Sequence, residues 1–150
     1  MKKLILILAF LPLFATAQFE VSIYQDCKLA SLADDYGNMP FTLDVLAKIT
    51  FKGKYLYGSI NYEYAQIKRD YNRVSLSVGG FYRWEFIEVK QDINTGYIIH
   101  DKYRGYSMGA DSELSLIIHK FKVNTLMQIT DRTDINVVRV SFFVGLTYML

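Results

Sequence analysis

Residues 137–150 read VVRVSFFVGLTYML. Val138, Val140, Phe142, Val144, Leu146, Tyr148 and Leu150 fall on one parity, while Arg139, Ser141, Gly145 and Thr147 fall on the other. Side chains of a strand alternate between its two faces, so this is a strand with one apolar face and one mostly polar face. Phe143 is the exception, a large apolar residue on the polar parity. The fold depends on which of the two faces points inward.

The same period recurs from residue 18 onward and predicts eight strands, at about 18–27, 41–52, 55–67, 73–83, 86–99, 105–118, 121–131 and 137–150. In the first, Phe19, Val21 and Ile23 oppose Glu20, Ser22, Tyr24 and Asp26. In the fifth, Gln91 and Thr95 interrupt an apolar parity made of Ile87, Val89, Ile93, Tyr97 and Ile99. A turn at Asp92–Gly96 would reduce the count to seven; a continuous strand keeps the face pattern and an even number. The segment 28–40 is the longest gap and has room for a helical turn near Leu29–Ala33. The connections 52–54, 84–85 and 119–120 are short, and 28–40, 68–72, 100–104 and 132–136 are longer. Short turns at one end and longer loops at the other suit an outer-membrane barrel with its N-terminus in the periplasm.

Two barrels fit this alternation. A soluble, secreted, lipocalin-like barrel turns its apolar face inward around a ligand. A membrane barrel turns it outward. The polar parity carries Glu20, Asp26, Asp44, Glu63, Glu88, Asp92, Asp111 and Glu113 with Lys48, Lys52, Arg83, Lys90, Lys122 and Arg139. An eight-stranded barrel has space inside only for side chains, and paired charges among glycine and serine would fill it. Ten residues form the expected interior charge network: Glu20, Asp44, Lys48, Glu63, Arg83, Lys90, Asp111, Glu113, Lys122 and Arg139. The apolar parity is nearly free of charge over the length a tilted membrane strand needs. Tyr62, Tyr64, Tyr97 and Tyr106 near the long loops, and Tyr82, Trp84, Phe86, Phe121 and Tyr148 near the short turns, suit two interfacial girdles.

Residues 1–17, MKKLILILAFLPLFATA, have two lysines, a short apolar run and an A-x-A ending at Ala15 and Ala17. That is the layout of a secretory signal peptide, cleaved after Ala17. Of the 17 basic residues, Lys2 and Lys3 belong to this leader, which leaves 15 basic against 15 acidic residues in the barrel domain, 18–150. A neutral chain without basic clusters does not suit a nucleic-acid partner. With one cysteine, Cys27, no intramolecular disulfide forms.

The ending GLTYML, with Gly145, Tyr148 and Leu150, resembles the terminal-strand signal by which outer-membrane barrels are recognised for assembly. It departs from that pattern in having Phe143 two residues before the glycine and leucine at the end. Residues 18–150 as a whole resemble small OmpA/OmpX-type barrels: all-β, eight-stranded, antiparallel, up-and-down and transmembrane. The leader junction Ala17-Gln18 and QITDRTD, residues 128–134, are similar to uncharacterised barrels of Bacteroidota. The resemblance implies a monomeric protein of the bacterial outer membrane, with no cofactor and no metal. Its partners would be membrane lipid, lipopolysaccharide and the barrel assembly machinery. The implied role is structural or interactive, through the outer loops.

The alternative role is a lipid A-modifying hydrolase. Barrel deacylases use a histidine and a serine two apart, and neither His100 nor His119 has that neighbour. His100 could still approach Ser107, with Asp101 nearby, as base and nucleophile. Asp34, Asp35 and the acids of 131–134 could meet divalent ions.

Overall fold

The structure, a computed structural model, describes residues 18–31, 40–67 and 69–150. The leader at 1–17 and the acids Asp34 and Asp35 lie outside these residues. Eight antiparallel strands close into a barrel in chain order. They are β1 (Gln18–Asp26), β2 (Asp44–Lys52), β3 (Leu56–Ile67), β4 (Arg69–Trp84), β5 (Ile87–His100), β6 (Tyr103–Ile118), β7 (Phe121–Arg132) and β8 (Val137–Met149), with a short helix, α1 (Cys27–Ser31), after β1. β8 pairs with β1 from Glu20↔Met149 to Asp26↔Phe143, so no strand edge is left open. β5 is continuous through Asp92–Gly96, which removes the seven-strand alternative.

The apolar parity points outward. Ile23, Val78, Ile93, Met108, Leu114 and Leu146 are each more than half exposed. The polar parity points inward, and Glu20, Lys48, Glu88, Lys90, Lys122 and Asn124 are almost fully buried. A lipocalin-like barrel needs the opposite arrangement, and the structure rejects it.

Two expected loops are mostly strand. The β3–β4 ladder continues to Ile67↔Arg69, and the β5–β6 ladder to His100↔Tyr103, which leaves only Asp101 and Lys102 as a turn. The period is hard to see there because its polarity reverses. Ala65, Tyr71 and Ile98 are packed inside with Tyr103 against them, and the exposed parity carries Asp70. At the other end, the turns around Glu85 and His119 are tight, with φ of 52° and 58°.

Phe143 also finds its place. It packs inside the barrel with Tyr24, Leu46 and Leu126, all at most 2 % exposed. These form one apolar layer within a polar interior. Leu126 opposes Phe143 on β8, and Leu46 opposes Tyr24 on β1.

Candidate functional site: a charge-filled barrel interior

The inward parity of β1, β2, β5, β6 and β7 builds two connected ion clusters. In the half nearer the short turns, Lys52 reaches Glu20 at 3.1 Å and Glu88 at 2.5 Å. Lys122 bridges the same two carboxylates at 2.5 and 2.7 Å. Lys90 joins Glu20 at 3.1 Å to Glu113 at 2.9 Å. Above it, Lys48 lies 3.2 Å from Asp111 and 3.5 Å from Asp92. Tyr24 donates its hydroxyl to Glu113 (3.0 Å), and Tyr57 donates to Asp92 (2.6 Å). Asn94 links Asp111 to Arg73, whose Nε also donates to Ser107 at 2.7 Å. Charges removed from water cost several kcal/mol each unless paired, and these pairs span strands that are remote in sequence.

A separate group closes the opposite end. Arg139 of β8 contacts Asp26 at 3.0 Å and Asp44 at 3.1 Å. Asp26 also accepts the Lys28 and Leu29 amides, which caps α1. In the β7–β8 turn, Asp134 accepts from Arg132 at 2.6 Å and contacts His100 Nδ1 at 2.7 Å. The Arg132 guanidinium stacks 3.9 Å from the Tyr71 ring centre. Burial pushes the Asp134 carboxyl up, but Arg132 and His100 outweigh it and hold the group below its usual value.

Of the ten expected network residues, nine lie in these clusters or beside them; Glu63 sits 3.6 Å from Arg73. Arg83 does not belong. It is exposed at the foot of β4, where its Nε donates to the Glu85 carbonyl at 3.5 Å. Its parity is inward, but it is exposed one residue before β4 ends at Trp84. Lys52, Glu88, Asp92, Arg73 and Arg132 are part of the interior and were outside the ten. The first three share the right parity; Arg73 adjoins the 68–72 stretch and Arg132 lies within 132–136, both of which read as loops.

The His100 arrangement is not formed. His100 pairs with Tyr103 and Ser107 with Gly96, well down the ladder, and the Ser107 hydroxyl accepts from Arg73. The acid hydrogen-bonded to His100 Nδ1 is Asp134. Among the described residues, no group of three or more His, Cys, Asp and Glu could hold a metal ion.

These features define a small, closed, eight-stranded antiparallel barrel with an apolar wall and a charge-filled core. The outer membrane protein Ail of Yersinia pestis, determined in a phospholipid bilayer nanodisc, shares this fold with a TM-score of 0.61 and 12 % identity, over 89 % of this chain and 99 % of that one. The crystal structure of Ail, the attachment invasion locus protein of the same organism, gives 0.54 and 10 % identity over 89 % and 97 %. No family model and no curated protein matches the sequence.

Proposed function

We propose that this chain is a non-enzymatic outer-membrane barrel of the bacterial envelope, anchored in lipid by its wall. The observation that carries this reading is the inversion of polarity. Side chains such as Ile93 (73 % exposed) and Val78 (65 %) cover the outside, while Glu88 and Lys122 are fully buried. Only an apolar solvent makes that arrangement favourable. Trp84, Phe86 and Phe121 on one side, and Tyr62, Tyr97 and Tyr106 on the other, are exposed where two interfaces would lie.

The interior is a salt-bridged plug and not a conduit. The segment around α1 and the turn at 133–136 would carry contacts at the cell surface, with lipopolysaccharide as the surrounding lipid. Ala15 and Ala17 mark the leader cleavage, and Gly145, Tyr148 and Leu150 present the last strand to the assembly machinery. An origin in Bacteroidota is part of this proposal, on the resemblance of QITDRTD, residues 128–134, alone.

Fractionation and heat-dependent gel mobility test this reading. The protein is expected in the outer membrane, with a folded band that shifts on boiling and no conductance in planar bilayers. Recovery from the soluble fraction would overturn it. The hydrolase reading fails if lipid A by mass spectrometry is the same in cells with the wild type, with His100→Ala and without the protein.

A further inference from the structure

Polar residues on the wall should satisfy themselves or be covered, because hydrocarbon offers no hydrogen bonds. Thr95 and Thr125 satisfy themselves, donating to the carbonyls of Ser107 and Leu114, each at 3.5 Å. Gln91 and Ser112 differ. They face each other across the β5–β6 ladder on the outward parity, and neither side chain makes a hydrogen bond among the described residues. Their height is also unfavourable. On β5, Gln91 stands about midway between Phe86 and Tyr97; on β6, Ser112 stands midway between Tyr106 and Ile118. The pair therefore lies near the middle of the apolar band.

The wall around them is indented. Gly80 of β4 is the neighbour of Gln91 on one side, and Ala110 lies above Ser112. A groove of about 430 Å³ runs beside Gln91, lined by Val78, Ile93, Ala110, Ser112 and Met127. Small residues around a polar one let two membrane surfaces approach closely enough to hydrogen-bond.

We propose that the β4–β6 wall is the interface for a second copy of this chain, with Gln91 of each copy paired across a twofold axis. The inference rests on the membrane-barrel reading and departs from the monomer implied by resemblance. A primary amide both donates and accepts, so two Gln91 side chains on a twofold axis complete each other. A lipid headgroup cannot do so, because it is held at the interface, away from this height.

The test uses purified protein refolded into phosphatidylcholine vesicles, in a Cys27→Ser background. Ser112→Cys with copper phenanthroline is expected to give a covalent dimer. Ile49→Cys, on the opposite wall, is expected to remain monomeric. Gln91→Leu should weaken self-association, followed by Förster transfer at falling protein-to-lipid ratio, by about tenfold. A folded, heat-shifting protein that stays monomeric, or that cross-links equally from both walls, would overturn the dimer and leave the barrel reading intact. Failure to insert into vesicles would overturn both.

Discussion

The ring of Tyr24 lies against Gly145, its opposite neighbour across the seam where β8 closes on β1. A Cβ at position 145 would collide with that ring and with the Ile23 carbonyl. The glycine lets Tyr24 lean across the seam and reach Glu113 with its hydroxyl. Whatever part Gly145 plays in assembly, the closed barrel needs it for space. Gly145→Ala should destabilise the folded barrel by about 1–3 kcal/mol, the usual cost of overpacking. The readout is the urea midpoint of vesicle-refolded protein; an unchanged midpoint would show that the seam adjusts freely.

Lys122 bridges Glu20 and Glu88 without exposure to water. Lys122→Met removes one cation from two buried carboxylates and should cost about 3–5 kcal/mol. Arg83→Met, at the exposed foot of β4, should change stability by no more than about 0.5 kcal/mol. Equal losses in the two variants would contradict the placement of Arg83 outside the network.

Phe143 completes the apolar layer with Tyr24, Leu46 and Leu126. Phe143→Ala should cost about 3–5 kcal/mol, as for other buried aromatics. Phe142→Ala, one residue away on the outward face, should cost clearly less, because lipid fills the space. A reversed order in urea titrations would mean that the β8 register is wrong.

Asp134 gives the β7–β8 turn a pH dependence. Its carboxyl is held below the ordinary value despite burial. A carboxylate depressed in the folded state contributes stability that is present above the unfolded value, about 4, and lost as pH falls through the folded value. Hydrogen-exchange protection of Thr133–Ile135, corrected for intrinsic rates, should hold from about pH 7 to 5 and fall below about 4. Asp134→Asn should give a weaker, pH-independent protection; a wild-type profile flat to pH 3 would remove the clamp.

The strand count, the continuous β5 and the face on which each charge sits could be read from the sequence. Side-chain alternation is a local property of extended backbone, so parity alone places Glu20, Lys48 and Glu113 on one face. Polarity at the ends was less readable, because beyond the apolar band the outside is water and the pattern of β4 and β6 reverses. Hence Tyr71 and Arg73 lay in or beside a stretch that reads as loop, and Arg83 read as interior. What tertiary structure alone decided is who meets whom. Glu20 finds Lys122, Arg139 finds Asp26, and Phe143 finds Tyr24 only because closure of β8 on β1 fixes the height of every strand against the others. That register arises from packing across the whole barrel, and no single strand encodes it.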